Sequence, residues 1–444
     1  MPDQIVDGRS LSEWIGELET ASGPREEAAR EALRAGGDAA FDRVRRALEY
    51  REPAVSRRFR EAATRVPEQL RPIFVDHERH RLAAAKWAAW AMPDSVNLAE
   101  AMATALIRAQ KEDVAHQIGL ALMRFGHEAV PHLTARAHGQ EALSRARALF
   151  WLGELATSLD PAGAEREMIE AGARSELGAR ESWVRSEAAA VVGKLGPTST
   201  GSIPLLVEAL LDSEAAVRGA AAVALGKIRG PAERCAAPLA ALLSDSAPEV
   251  RVVAAMALGQ LGAGARPTAA ALATAATSSH LRLAVVASQS LGRIGAPGAI
   301  AVPTLTSNLH RPEPLLRWAS ATALGRLAAG CDAELVPHLA RALSDPDVYV
   351  RRGSAQALAA FGGRAAPALA ALIGVLRDQD ESVRVAAAEA LGALGPLATE
   401  AIPALLAARN NNQSVMSAPV IAALERIQLH PEQTGGIAPI PALD

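Results

Sequence analysis

Histidine side chains, which could bind a metal, are few and scattered in this sequence. The clearest pair is His77 and His80, one helical turn apart with Asp76 and Glu78 beside them, which is half of the spacing that a zinc site needs. No second half is visible, and the solvated start of a charged helix gives the same pattern. The sequence therefore predicts neither a metal site nor a cofactor.

Nucleophilic and nucleotide-binding motifs are not recognisable either. The two Gly-Lys dipeptides are followed by leucine and isoleucine, where a phosphate-binding loop needs serine or threonine. No G-x-S-x-G or HExxH string occurs. Cys235 and Cys331 are far apart and in no CxxC spacing, which fits a reducing compartment. We therefore expect a protein that is not an enzyme.

Basic side chains form one cluster near the beginning of the chain. Its members are Arg43, Arg45, Arg46, Arg51, Arg57, Arg58, Arg60 and Arg65. Such a cluster could bind nucleic acid through phosphate contacts. Glutamates are interleaved with the arginines, which favours solvated helix faces instead. The net charge of −3 also argues against a general nucleic-acid coat.

A repeated string dominates the rest of the sequence. VRVVAAMALGQLG, from Val250, returns as VRSEAAAVVGKLG, VRGAAAVALGKIR, VRRGSAQALAAFG and VRVAAAEALGALG. Aligned on one apolar position, the units recur at Val192, Leu225, Leu258, Leu291, Leu324, Leu358, Leu391 and Leu424. The spacing is 33 residues, except for 34 between Leu324 and Leu358. A fixed period of this length is typical of a repeat protein.

Each unit contains two helical patterns joined by a short turn. The first is short, as in IPLLVEALLD, and the second is the repeated string, with apolar residues at spacings of three and four. Asp, Ser and Pro in the turns suit a helix end followed by a new helix start. We therefore expect an all-α fold, an α-solenoid superhelix of about a dozen stacked antiparallel helix pairs.

The repeats are less regular towards both ends. We expect residues 1–156 to form divergent repeats that begin with a capping helix, in which Ser10 or Ser12 is the N-cap and Trp14 closes the core. Residues 157–182 are an insertion, a long link or a longer first helix. Residues 183–427 are the regular repeats, and residues 428–444 are expected to be a disordered tail.

The regular units resemble HEAT repeats, most closely the short HEAT-like repeats of phycobilisome lyases. The proline of the family's first helix has its counterparts at Pro204, Pro303, Pro337 and Pro403. An aspartate in the turn and an arginine six residues later also match. These pairs are Asp212/Arg218, Asp245/Arg251, Asp345/Arg351 and Asp378/Arg384.

The resemblance implies that these aspartates and arginines form a ladder between adjacent repeats. A partly buried guanidinium needs a carboxylate that matches its planar fork. Arg185 and Arg317 lack an aspartate six residues before them. Ala284 stands at the arginine position of its unit, so we expect the ladder to be broken there.

The resemblance also implies that the second helices line the concave side of the solenoid. At the outward positions of these helices, Val252, Met256, Val285 and Trp318 form an apolar run. The charged residues at its edge are Lys194, Lys227, Arg293 and Arg326. An exposed apolar patch with a charged rim predicts a groove for a protein or peptide. The alternative is that these residues pack between neighbouring repeats.

We therefore expect a non-catalytic scaffold or adaptor that binds a protein or peptide on its concave face. One alternative is a chromophore-handling protein similar to bilin lyases, and another is nucleic-acid binding through the Arg43–Arg65 cluster. The absence of a signal-peptide pattern and of an apolar run of the roughly 18 residues a membrane span needs predicts a soluble, cytoplasmic protein. The excess of arginine over lysine indicates a GC-rich, bacterial source.

Overall fold

The structure is a computed structural model that describes residues 5–20, 23–49, 77–91, 96–161, 163–331, 333–411 and 414–428. The chain divides into two compact units, Met1–Ala224 and Leu225–Asp444. The expected tail at 428–444 lies outside the described residues, except for its first residue. In both units the described residues are overwhelmingly helical, so the fold is the all-α solenoid that the repeats predict.

The first unit begins with a two-stranded antiparallel hairpin, β1 (Ile5–Val6) and β2 (Arg9–Ser10). The helices among its described residues are α1 Leu11–Thr20, α2 Pro24–Ala35, α3 Gly37–Glu49, α4 His77–Ala91, α5 Val96–Arg108, α6 Glu112–Leu122, α7 Val130–Ala137, α8 Ala142–Ala156, α9 Ala164–Glu176, α10 Ser182–Leu195 and α11 Ile203–Ala209. Helix α9 packs against α8 and α10. Residues 157–182 therefore contain the first helix of an ordinary pair.

The next helix in the chain is α12, Ala215–Ile228. The helices that follow are α13 Ala232–Ala241, α14 Pro248–Leu261, α15 Ala269–Ala276, α16 Leu281–Ile294, α17 Gly298–Asn308, α18 Pro314–Arg326, α19 Val336–Ala342, α20 Val348–Phe361, α21 Leu369–Val375, α22 Glu381–Leu394, α23 Ile402–Asn411 and α24 Ser414–Gln428. From α8 onward the even-numbered helices are the second helices. Within the second unit each of them from α14 packs against the next one.

The repeated glycine of the second helix explains how closely these helices pack. A Cβ on Gly226 would lie 2.9 Å from the Cα of Ala257, and a Cβ on Gly325 would lie 2.8 Å from the Cα of Ala357. Contacts this short exclude any side chain at the glycine. The alanine-leucine-glycine triplet of the repeat is therefore a small-residue seam, in which the glycine of one helix lies against the alanine of the next.

The N-terminal helix is capped as the sequence predicts, but its tryptophan has another role. The Ser10 hydroxyl accepts from the amide of Glu13 at 3.2 Å, and the Glu13 carboxylate accepts from the amide of Ser10 at 2.7 Å. This reciprocal pair is a capping box. Trp14 is only partly buried, and its Nε1 donates to the carbonyl of Val6 at 2.9 Å, so this side chain stabilises the hairpin. Leu11 and Ile15 fill the core there instead.

Two stretches of the second unit are long and apolar enough to cross a membrane by length and composition alone, Val348–Val375 and Glu381–Arg409. This finding differs from the expectation that no apolar run reaches that length. Each stretch bends at a glycine with positive φ, Gly362 at 55° and Gly395 at 60°. Because each bend separates a second helix from the first helix of the following pair, neither stretch is one straight helix. The two stretches are weak evidence for a span.

Candidate functional site: the face of the second helices

Arginine–aspartate pairs join neighbouring repeats in both units. The Arg185 guanidinium donates from Nε and Nη2 to the two carboxylate oxygens of Asp212, at 2.7 and 2.8 Å. Arg317 binds Asp345 in the same way at 2.7 and 2.8 Å, and Arg351 binds Asp378 at 2.7 and 2.9 Å. These are two-point, charge-assisted pairs, the strongest form of this interaction.

The partner of each arginine differs from the one that the motif suggests. Each arginine takes the aspartate of the following repeat, 27 or 28 residues later in the sequence. The aspartate six residues earlier offers only its backbone carbonyl, as Asp378 does to Nη1 of Arg384 at 2.8 Å. Arg218 donates in the same way to the carbonyl of Asp212.

The ladder therefore joins adjacent repeats, and each of these rungs pairs an arginine with the aspartate of the following unit. Arg185 and Arg317, which lack an aspartate six residues before them, are complete rungs of the ladder. The reason lies in the geometry of the stack. The guanidinium spans the space between two turns, so one edge meets its own turn and the other edge meets the turn of the next repeat.

The ladder changes the acidity of its members. The hydrogen bonds from Arg185 hold the pKa of the Asp212 carboxyl below its ordinary value, against the opposing effect of burial. For Asp378, burial acts to raise the pKa, but the hydrogen bonds from Arg351 and from the amide of Asp380 outweigh it and lower the pKa. Both aspartates are therefore charged in the folded protein at neutral pH and stabilise it.

The ladder is interrupted in the second unit both at the position that the sequence predicts and at the neighbouring rung of Arg251. Ala284 lacks the guanidinium, as expected. In addition, Ser278 stands 27 residues after Arg251, where the other rungs have aspartate. The Nε of Arg251 is buried and has no hydrogen-bond partner among the described residues. Arg251 is therefore an arginine without its carboxylate.

We expect Ser278→Asp to stabilise the protein by about 1 kcal/mol. The Ser278 hydroxyl already accepts from the amide of His280 at 3.1 Å, as the Asp378 carboxylate accepts from the amide of Asp380 at 2.9 Å. Aspartate can therefore keep this turn and also reach the Arg251 guanidinium. Urea unfolding measures the change, and Ser278→Asn is the control that keeps the acceptor without the charge. If the two variants were equally stable, the conclusion that Arg251 lacks a carboxylate partner would be contradicted.

The predicted apolar run on the second helices is only partly exposed. Val252 and Val285 are 5% and 6% exposed, so the expectation that they line an open groove is wrong. Val285 packs with Ala284, Leu316 and Ala319, and the half-buried Trp318 lies against this cluster. The valines are covered because neighbouring second helices approach closely through their small residues.

The remaining predicted site residues stay at the surface to different degrees. Met256 and Trp318 are half-buried, and a Cβ on Gly353 would lie 3.0 Å from Cδ1 of Trp318, so the indole extends over the next second helix. Lys227, Arg293 and Arg326 are exposed, whereas Lys194 is bound to Glu154. A role in partner binding for these residues remains a prediction.

A cleft with aromatic walls lies on the second-helix face of the first unit, which the sequence reasoning missed. It has a volume of about 290 Å³ and lies between α6, α8 and α10. Its lining residues are Glu112, Ala115, His116, Leu143, Ala146, Arg147, Phe150, Trp151 and Trp183. Trp183 is 46% exposed and Phe150 is 37% exposed, although both are large apolar side chains.

The aromatic rings are fixed by contacts with one another and with a helix backbone. Phe150 meets Trp151 edge to face with ring centroids 5.2 Å apart, and His116 lies 5.5 Å from Trp151. The Trp151 indole lies directly on α6 at Gly119, where an added Cβ would come within 1.8 Å of Cε2 of the indole. Glycine at this position is therefore required for the ring to form the floor of the cleft.

Charged side chains frame the cleft and are largely paired. Arg147 is 8% exposed and donates to the carbonyl of Ala109 at 2.7 Å and to the Glu112 carboxylate at 2.7 Å. Its guanidinium thereby ties α8 to the end of α5. The Lys194 ammonium binds Glu154 at 2.8 Å and lies 5.1 Å above the Phe150 ring. The apolar rings are thus exposed between charges that are already satisfied.

Glu187 lies on α10 one helical turn after Trp183, close enough to Lys194 and Glu154 to interact with their charges. Burial raises the pKa of its carboxyl; Lys194 opposes this effect and Glu154 adds to it. A raised folded pKa means that folding favours the protonated form, so the contribution to stability is present at low pH and is lost as the pH rises through the folded pKa.

We expect Glu187→Gln to raise the melting temperature at neutral pH because it removes the cost of keeping a charge in this position. The difference from the unchanged protein should vanish below a pH of about 4.3, the ordinary pKa of glutamate, where both forms are neutral. Melting curves across the pH range measure this difference. Glu208→Gln, at an exposed position of the same unit, should show no such pH-dependent gain. A loss of stability at neutral pH would show that the Glu187 charge is favourable.

A composition signal could have revealed this cleft. The chain has only 14 aromatic residues, counting six Trp, two Tyr and six Phe, and three of them line one site. The regular 33-residue pattern covers residues 183–427, so α6 and α8, which precede it, are not among its outward positions.

Stacked helix pairs with a seam of small residues and a ladder between turns define a helical-repeat protein of the α-solenoid class. A family model for HEAT repeats matches residues 171–237, 236–324, 302–374 and 336–425. These matches together cover residues 171–425, more than half of the chain. The chain belongs to the HEAT-repeat family.

Two solved structures have a similar fold over most of this chain. One, in which Kap95p binding acts on the switch loops of RanGDP, is 14% identical with a TM-score of 0.53, and the match covers 94% of this chain and 67% of that chain. The other, the Kap95:Nup1 complex, is 13% identical with a TM-score of 0.53, and the match covers 96% of this chain and 68% of that chain. At this identity the likeness establishes the fold alone. No curated protein matches this chain.

Proposed function

We propose that this protein is a non-catalytic scaffold that binds a protein or peptide partner on the face of its second helices. The observation that carries the proposal is the aromatic cleft of the first unit. Exposed aromatic side chains held rigidly in a pocket, with paired charges around them, are the features of a protein-binding hot spot. HEAT-repeat membership and the protein partners named for the two similar structures, RanGDP and Nup1, are consistent with this role.

The chemistry of the cleft favours a partner segment with a large apolar side chain. Such a side chain would lie against Phe150 and Trp183 and remove their exposed surface from water. The surrounding ion pairs, Arg147–Glu112 and Lys194–Glu154, would form the polar rim of the interface. In the second unit, Met256 and Trp318 lie on second helices and are candidate contacts there, as the sequence predicts.

The alternatives rest on weaker observations. The closer resemblance to phycobilisome-lyase repeats, and with it a chromophore-handling role, remains a prediction from the sequence. Of the Arg43–Arg65 cluster only Arg43, Arg45 and Arg46 lie among the described residues, on α3. Arg45 contacts Asp42 at 3.6 Å and Glu49 at 3.5 Å, which reduces the charge available to a phosphate backbone.

The proposal is tested by placing a photo-crosslinking amino acid at Trp183 or, as the control, at Leu211, a leucine of the same unit that is 86% exposed. Partners captured in cells from position 183 and not from position 211 are then purified and their affinity is measured. Trp183→Glu should weaken the binding of such a partner by about 2 kcal/mol or more. Its melting temperature should stay close to that of the unchanged protein.

Leu211→Glu should leave the affinity unchanged. Partners captured equally from both positions, or an affinity that Trp183→Glu does not alter, would rule out the cleft as the binding site. Trp318→Glu then decides whether the second unit contributes, since a loss of affinity without unfolding would place the partner on both units.

A further inference from the structure

The last arginine of the ladder, Arg384, is positioned like the other rungs but has no carboxylate among the described residues. Its Nη1 donates to the carbonyls of Asp378 and Gln379 at 2.8 and 3.1 Å. Nη1 of Arg351 donates in the same way to the carbonyls of Asp345 and Pro346 at 3.0 and 3.2 Å. The guanidinium of Arg384 is therefore held in the orientation that in Arg351 offers its other edge to a carboxylate.

That other edge of Arg384 has an unsatisfied donor. Its Nε is buried and has no hydrogen-bond partner among the described residues, whereas Nε of Arg351 donates to Asp378 at 2.7 Å. A buried donor of a charged group is costly to leave unpaired, so a ligand that accepts from it gains affinity.

A cavity of about 350 Å³ lies beside this arginine, between α21 and α23. Its lining residues are Ile373, Leu376, Arg377, Asp378, Arg384, Ala404, Ala407 and Ala408. The walls are mainly aliphatic, and two arginines and one aspartate complete the lining. Because Asp378 is already bound by Arg351, the charge that remains to be balanced in the cavity is positive.

The sequence explains why Arg384 has no aspartate partner in the following repeat. Helix α21 ends at Val375, so the turn after it can present Asp378. Helix α23 continues through Asn411, the residue 33 positions after Asp378 and the counterpart of that aspartate in the repeat. A neutral amide at this position, on a backbone that is still helical, replaces the charged residue of the turn.

We propose that this cavity binds an aliphatic carboxylate. The carboxylate group takes the place that the aspartate has in the other rungs, on the Nε and Nη2 edge of Arg384, and the aliphatic part lies against Ile373, Leu376 and Ala404. A free short-chain carboxylate and the C-terminal residue of a polypeptide have the same chemistry. The site is in the second unit and does not depend on the aromatic cleft.

The test uses the full chain and four probes, hexanoate, hexanamide, and an acetylated tripeptide ending in leucine with either a free carboxylate or an amide. Saturation-transfer NMR reports binding independently of stability. Hexanoate and the free-carboxylate peptide should bind and the two amides should not. If only the peptide binds, the source is a polypeptide C-terminus, and if hexanoate binds alone or as well, a free carboxylate is sufficient.

Arg384→Lys keeps the charge but loses the planar fork, and it should weaken carboxylate binding by a factor of about 10 or more. Arg341→Gln, which removes an exposed arginine of the same unit, should leave binding unchanged. Circular dichroism confirms that both variants fold.

Three results would overturn the proposal. Equal binding of hexanoate and hexanamide would show a merely apolar cavity, and no binding of either carboxylate would show that no ligand site is formed. Unchanged carboxylate affinity in folded Arg384→Lys would show that the fork does not recognise the ligand.

Discussion

Val285→Glu is expected to lower the free energy of unfolding of the second unit by roughly 3–5 kcal/mol, the cost of an uncompensated buried charge. Val285 is 6% exposed and is enclosed by Ala284, Leu316 and Ala319, so a carboxylate there would lose its water and find no cation. Urea unfolding followed by circular dichroism measures the change, and the transition should broaden because the affected repeats unfold before the others.

Leu315→Glu is the matched control for this substitution. Leu315 lies on α18 beside Leu316 but is 52% exposed, so the same charge stays in water and the stability should change little. If Val285→Glu were as stable as the control, Val285 would have to be exposed. That result would support the groove that the sequence predicts.

Arg351→Gln is expected to cost about 1–3 kcal/mol at neutral pH because it leaves the partly buried Asp378 carboxylate without its partner. The effect should depend on pH with a definite sign. Arg351 lowers the pKa of folded Asp378, so its contribution is fully present above the ordinary aspartate pKa of about 3.9 and is lost as the pH falls through the folded pKa. The difference between variant and unchanged protein should therefore shrink in acid.

Substitutions of two further arginines serve as controls for this prediction. Arg377→Gln removes an exposed positive charge close to the same turn and should cost little. Arg251→Gln should also cost less than Arg351→Gln because no carboxylate pairs with Arg251. If all three substitutions cost the same, the ladder would contribute nothing specific to stability, whatever its geometry.

The sequence was sufficient for the features that depend on neighbouring residues. The 33-residue period, the two helices of each unit and the serine cap of α1 all follow from local spacing and from side chains that bind their own turn. The alanine-leucine-glycine triplet likewise indicates a close contact between helices, since a recurring glycine marks a position where a larger side chain does not fit. These patterns lead directly to the all-α solenoid and to the HEAT-repeat family.

The identity of contacting partners was decided only by the stacking of the repeats. The aspartate nearest to Arg351 in the motif gives it a backbone carbonyl, while the carboxylate comes from the next repeat. Periodicity fixes which face a residue is on but not how far the neighbouring helix covers that face. Val285 is consequently buried although its helical position is outward.

The aromatic cleft shows the same limit. His116, Phe150 and Trp183 belong to three different helices, and each is unremarkable in its own helix. Their meeting depends on the bare backbone at Gly119, which lets the Trp151 indole lie on α6, and on Arg147, which ties α8 to the end of α5. The sequence determined the repeat and its helices; the distances between helices, which set burial, pairing and the cleft, were decided by the tertiary packing of the side chains between them.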